Sequence, residues 1–187
     1  MEKANAIDNL SASLVRGAEF IESAHATGRY VVECYDELGN LKWSDDIENA
    51  VCTEGKNYVL DKAFAGVTYS ATWYVGLHSS AAYTPTGSET YAAKGITEFT
   101  GYSQAARPTA AWSAASSGSK ALSSNATFSV NASGTVYGAI LVTGSSTKGD
   151  STASAGVNAL WSVGNFTGGS KAVSNGDTLS VSYSTSL

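Results

Sequence analysis

Two rhythms of apolar residues divide the chain. In the first 24 residues Ile7, Leu10, Leu14, Ala18 and Ile21 recur at spacings of 3, 4, 4 and 3, which places them on one helical face. Gly17 and several serines weaken a helix there. The first reading is therefore an arm over residues 1–24 that gains order by lying on another chain, with a short amphipathic helix second and an idle tail third. Residues 28–50, "GRYVVECYDELGNLKWSDDIENA", predict a β-hairpin. Tyr30, Val32 and Cys34 alternate with Val31, Glu33 and Tyr35, "LGN" supplies the turn, and "NLKWSDDI" returns as the second strand. Residues 53–65, "TEGKNYVLDKAFA", predict the one helix, with Thr53 as N-cap, Glu54 at the positive end of the dipole and Gly66 as the stop. Val51, Gly55, Val59 and Ala63 fall on one face of it, with Leu60 and Phe64 beside it.

Beyond Gly66 the pattern is β. "SATWYVGLHS" reads as a strand with a buried centre, Trp73, Val75 and Leu77 on one face and Tyr74, Gly76 and His78 on the other. "YSQAARPTAAWSA" is extended, with Pro108 at an edge or bend. "ATFSVNA" and "DTLSVSYSTSL" alternate, and "GTVYGAILVTG", with "NALWSVGNF" after it, is a near-continuous apolar run suited to a central strand. "SSGSK", "GSSTKGDSTASAG" and "TGGSKAVSNGD" read as separators. No βαβ rhythm occurs. The expected fold is mainly β: an antiparallel β-sandwich or jelly roll over residues 25–187, preceded by the arm.

Charge sharpens this picture. Residues 1–62 hold 12 acids and 6 bases, whereas residues 63–187 hold only Glu89, Glu98, Asp150, Asp177, Lys94, Arg107, Lys120, Lys148 and Lys171. An average domain carries about 25% charged residues, so the second region is solvated mainly by hydroxyls and backbone. No basic patch points to nucleic acid, no run of 18 apolar residues points to a membrane span, and the first residues lack the apolar block of a secretory signal. Cys34 and Cys52 make no metal or redox motif and read as free thiols, with a disulfide as the alternative.

Candidate chemistry is sparse. His78 has no nucleophile elbow beside it, and its spacing from His25 fits no metal pair, so it reads as a packed or rim residue. Asp45, Asp46 and Glu48 form a solvated acidic face; they lack the spacing of a calcium loop. Tyr83, Tyr91 and Tyr102 fall in an aromatic stretch over residues 69–112 that serves as core and protein contact surface, or alternatively stacks on sugars. Glu98 and Arg107, isolated in a charge-poor region, are expected to pair through a bidentate contact that pins the loop between them. No catalytic constellation, cofactor motif or metal motif emerges, and the expectation is a protein that is not an enzyme. Ile7, Leu10, Leu14, Trp43, Asp45, Asp46, Tyr83, Tyr91, Tyr102 and Arg107 are the candidate interface residues.

The stretches "EFTGYSQAARPTAAW" and "VSNGDTLSVSYS", set among "GNLKWSDDIENAVCTEGKNYVLDKAF", "WYVGLHSS" and "TFSVNASGTVYGAILVTG", resemble small structural proteins of tailed bacteriophages over roughly residues 28–187. The resemblance implies a virion component made in the host bacterial cytoplasm, either a capsid decoration (cement) protein or a fibre component. It brings no catalytic residues. The expected partners are the major capsid protein and other copies of this chain. The alternative role is a head- or tail-fibre or spike part that binds host-surface glycan.

Overall fold

A computed structural model describes residues 25–64, 72–81, 83–154 and 156–187. The expected arm, with Ile7, Leu10 and Leu14, and the helix stop at Gly66 lie outside the described residues. The elements are β1 (Thr27–Tyr35), β2 (Leu41–Glu48), β3 (Ala50–Val51), α1 (Thr53–Phe64), β4 (Trp73–His78), β5 (Ser119–Ala121), β6 (Ala126–Ser129), β7 (Gly134–Val136), β8 (Gly138–Thr143), β9 (Ala159–Asn165), β10 (Lys171–Val173) and β11 (Thr178–Ser186). All strand pairings are antiparallel, and the fold is a mainly β, sandwich-like arrangement as the alternation required.

One sheet runs β2-β1-β11, with β5 and β6 sharing the far edge of β11; the other runs β3-β9-β8-β4, and β7 pairs with β10 apart from both. The hairpin forms where it was expected. Asp36 closes it, taking the Leu38 and Asn40 backbone N–H groups on Oδ1 at 2.9 and 2.8 Å. Gly39 completes the turn at φ 84°, a left-handed conformation that a side chain would strain.

The sheets meet through Tyr30, Val32, Val75, Leu77, Leu141, Phe128, Val181 and Tyr183, all essentially inaccessible to solvent. At one end of this core aromatic rings link both sheets. Tyr30 and Tyr183 lie 4.3 Å apart, and the Trp161 indole donates to the Tyr183 hydroxyl at 2.7 Å. A bulge on β9 makes this possible. Ser162 pairs with Leu141 and Leu160 with Val142, so Trp161 is the extra residue and shares the inward face with Ser162.

The second sheet is covered on both sides, which explains the unbroken apolar run of β8. Its outer face carries a separate cluster of Cys52, Tyr91, Ile140, Val142, Leu160 and Val163, with Tyr74, Tyr83 and Ile96 packed against it. The lid over this face is the connection from His78 to Ser119, residues 79–118, whose described residues form no named strand. It hugs the free edge of β4 twice. Phe99 N–H donates to Leu77 O at 2.8 Å, Val75 N–H to Pro108 O at 2.9 Å, and Ala110 N–H to Trp73 O at 2.7 Å. It then crosses to the other sheet, where Ser113 N–H reaches Ala121 O at 3.0 Å. Pro108 sits at an edge, where its missing N–H costs nothing.

Three local expectations need correction. "SSGSK" and "TGGSKAVSNGD" are not mere separators, because they supply β5 and β10, each too short to show a period. Thr53 is not the N-cap: the Cys52 carbonyl accepts the first helical N–H, from Lys56 at 3.1 Å, and Thr53 N–H goes to Gly87 O. Glu54 holds other segments instead, accepting from Tyr91 N–H at 2.6 Å and Leu160 N–H at 2.8 Å. The helix turns Cys52, Gly55 and Tyr58 inward, while Leu60, Ala63 and Phe64 face solvent.

Gly55 lets α1 lie directly on β9. A Cβ there would stand 2.5 Å from Trp161 Cα and 2.8 Å from the Leu160 carbonyl oxygen. Alanine is the better helix former by about 1 kcal/mol. Overpacking against backbone costs about 1–3 kcal/mol, so the clash should win. Gly55→Ala is expected to lower the denaturant midpoint; a midpoint at or above wild type would show that the helix can lift without penalty.

Candidate interaction surface

Among its described residues the connection over 79–118 forms no named strand, and a buried polar clamp holds it. Arg107 and Glu98, at 2% exposure for the arginine, pair as expected: Nε reaches Oε1 at 2.9 Å and Nη2 reaches Oε2 at 3.0 Å. The remaining guanidinium protons donate to Tyr91 Oη at 2.9 Å, Ser145 O at 2.7 Å and Asp150 O at 2.9 Å. The Glu98 carboxylate also accepts the Gly149 N–H. Burial alone would lower the Arg107 pKa, but the facing Glu98 carboxylate and the Tyr91 hydroxyl outweigh it and keep the guanidinium charged. Lys94, also buried, donates to Tyr91 O at 3.0 Å, Asp150 O at 2.6 Å and Ser151 Oγ at 2.9 Å, and burial lowers its pKa. Two loops, 91–107 and 145–151, are thereby fastened to one another.

The other charged side chains of this region act in the same way. Glu89 gathers Tyr83 Oη at 2.5 Å, Thr86 N–H at 2.8 Å and Gly87 N–H at 2.7 Å. Asp177 holds Lys42 at 2.6 Å and Ser174 N–H at 2.7 Å. Lys171 meets Asp45 at 2.7 Å, Lys148 donates to Tyr102 O at 2.9 Å, and Lys120 donates to Ser113 O at 2.8 Å. Asp150 takes the Thr152 N–H at 2.8 Å. Each of the nine charged residues after position 62 thus fastens one segment of the chain to another.

These contacts revise the expected interface. Tyr91 and Tyr102 are 1% and 2% exposed, so with Arg107 they lie inside and present nothing to a partner or a sugar. Tyr83 is half-buried, its hydroxyl taken by Glu89. Asp45 is not part of a solvated acidic face: besides Lys171 it accepts from Thr167 Oγ1 at 2.8 Å and Gly168 N–H at 3.0 Å. Asp46 pairs with Arg29 at 2.6 Å near the surface. Trp43 packs edge-on against Phe166 at 5.6 Å and donates to Ala172 O at 3.2 Å, so it too is largely committed to its own chain. Cys34 and Cys52 are buried free thiols, each pushed up to about 12, chiefly by burial and then by Asp177 and Glu89 respectively.

His78 is fully buried. Its Nε2 lies 3.1 Å from the Gly164 carbonyl, which can only accept, so Nε2 carries the proton of a neutral ring and Nδ1 faces no partner. Gly138 makes room for it: a Cβ there would lie 2.4 Å from Nε2. Burial lowers the His78 pKa to about 4.

Besides charged residues such as Arg29, Glu37, Glu48, Lys56 and Asp61, several large apolar side chains face outward. Leu38 and Leu41 stand out at the hairpin tip, 86% and 55% exposed, and Leu60 and Phe64 on α1, 52% and 85% exposed. At the aromatic end of the sandwich an open cleft of about 410 Å³ is walled by Val59, Trp73, Trp112, Leu141, Trp161 and Leu187. Among the described residues no cluster of three or more His, Cys, Asp or Glu side chains is arranged to hold a metal ion. No described helix is long and apolar enough to cross a membrane. The cleft was not foreseen, because its tryptophans come from three distant segments. No protein-family model matches the chain, and no curated protein matches it either.

Two outcomes follow. Arg107→Ala strands a buried carboxylate, at a cost of about 3–5 kcal/mol. Urea unfolding and limited proteolysis at residues 95–112 and 145–151 should both register the loss. Arg107→Lys, lacking the planar fork, should not restore it. For His78, acid protonates the unfolded chain first, from its ordinary pKa of about 6.5, while the folded ring resists until about pH 4. Stability from this residue is therefore present above pH 6.5 and lost as pH falls through that window, by up to about 3 kcal/mol. The His78→Gln profile of unfolding free energy against pH should be flatter there; parallel profiles would rule the histidine out as a cause.

Proposed function

We propose that this chain is a non-enzymatic capsid decoration (cement) protein of a tailed bacteriophage, binding the outside of the major capsid protein shell and linking its capsomers. The observation that carries the reading is the division between inside and outside. The charged groups of the last two-thirds of the chain are tied up as internal staples, and Leu38, Leu41, Leu60, Phe64, Val157 and Leu187 are exposed large apolar side chains. Such a body suits weak contacts repeated many times. On a lattice, fixed spacing turns each weak contact into a cumulative one. The hairpin tip is taken as the contact with a neighbour, because Leu38 and Leu41 are exposed on a turn that Asp36 and Gly39 fix. The resemblance of residues 28–187 to phage structural proteins supports the same reading.

The test mixes purified protein with expanded, undecorated capsids. Saturable binding and a higher temperature of capsid rupture are expected, and Leu38→Asp with Leu41→Asp should weaken binding about tenfold or more, about 1.4 kcal/mol. Absence of saturable binding would overturn the proposal. Specific binding of the free protein to host cells would favour a glycan-binding fibre component instead.

A further inference from the structure

Asn175 precedes glycine, and no other asparagine of the chain does; the rest precede Ala, Leu, Tyr or Phe. An Asn–Gly step carries a reaction of its own. The Gly176 backbone nitrogen attacks Asn175 Cγ, the new N–Cγ bond closes a five-membered succinimide, and Nδ2 leaves as ammonia with the proton that the backbone nitrogen gives up. Water then opens the succinimide at one of its two carbonyls. Opening at Cγ leaves aspartate; opening at the main-chain carbonyl leaves isoaspartate, whose backbone is one carbon longer. Glycine favours the reaction because it sets no side chain beside the attacking nitrogen.

The folded chain holds this step in a turn unsuited to the attack. Asp177 N–H donates to Ser174 O at 3.0 Å and closes a turn over residues 174–177. Gly176 has φ 94° while Asn175 keeps a negative φ, so the turn is of type II. The ψ of Asn175 is then about 120°, which rotates the Gly176 nitrogen away from the Asn175 side chain. That nitrogen is also engaged, its N–H donating to Val130 O at 2.9 Å. The attack needs it deprotonated, and the Glu37 carboxylate lies close by, with Oε2 3.5 Å from where a Cβ on Gly176 would stand. A neighbouring negative charge opposes that ionisation.

Several strands are fastened at the same turn. Val130 N–H, just after β6, donates to Asp177 O at 2.8 Å. Asn175 N–H reaches Ser133 Oγ, just before β7, at 3.0 Å. Ser174 N–H reaches Asp177 Oδ2 at 2.7 Å between β10 and β11. One more backbone carbon within residues 174–177 would destroy the spacing that these bonds share.

We infer that Asn175 is a modification site guarded by the fold: it deamidates in chains whose β11 is not in place, and isoaspartate formed there keeps β10 and β11 from closing again. Time spent unfolded is thereby written into the covalent structure. The inference does not rest on the decoration role.

The test incubates the full chain at mildly alkaline pH, folded in buffer and unfolded in urea. Trypsin then releases the peptide 172–187, in which mass spectrometry and chromatography separate asparagine, aspartate and isoaspartate. Deamidation should be at least about tenfold slower in the folded chain, since the turn must open first. Equal rates would overturn the guard. In a second arm the urea samples are diluted and the regained fold is measured. Wild-type recovery should fall in step with isoaspartate, whereas Asn175→Ala, a change at an exposed position of the turn, should keep its recovery. Parallel losses in the two chains, or isoaspartate-bearing chains that refold with a wild-type unfolding midpoint, would overturn the effect on closure. Asn175→Asp should refold as wild type does; its failure to refold would assign the loss to charge and overturn the role of the longer backbone.

Discussion

The fold depends on an ion pair that has no access to water. Arg107 and Glu98 would be costly to bury singly, and even paired they repay their desolvation only if the remaining protons and lone pairs are met. Here they are met, by Tyr91, Ser145, Asp150 and Gly149. The clamp has to be this complete because of what it secures. The described residues of 79–118 form no named strand, yet they close the edge of β4, supply Phe99 to the main core and cover the second core on the outer sheet face. A connection of that length without regular structure is unusual in a compact domain unless something fixes it.

Covering the sheet edges has its own effect on how the molecule can associate. β4 is shielded by residues 97–99 and 108–110, β5 by residues 111–113, and β6 by the bridge between Tyr102 and Val130 with Ser103 N–H on Ser129 O at 2.8 Å. Strand addition to a neighbour's sheet is thereby discouraged along these edges.

The sequence made legible those features whose cause is local. β1, β6 and β11 alternate because one face of their sheet meets water, and β8 runs unbroken because its sheet is buried twice. The pairing of Glu98 with Arg107 could be read because each was nearly alone among uncharged neighbours. The rest of the clamp could not, since backbone carbonyls at 145 and 150 leave no mark in a sequence. Tyr91 and Tyr102 were misplaced at the surface for a related reason: their cover is formed by segments far along the chain. Three-residue β5 and β10 escape any periodicity argument, and their positions are fixed instead by partners, β11 for the first and β7, with the Lys171–Asp45 contact, for the second.

The pairing of β1 with β11 has a consequence for the order of events in synthesis. Every residue from Thr27 to Tyr35 finds its partner between Thr178 and Ser186. The hairpin can form as soon as it leaves the ribosome, but the strand that completes its sheet emerges more than a hundred residues later. Until then the edge of β1 that faces β11 has no partner. Folding of such a chain is slow by the measure of sequence separation, and it is concentrated into one late step. A chain stopped before residue 178 keeps an unsatisfied sheet edge and an uncovered core face, which marks it for aggregation or degradation rather than for assembly.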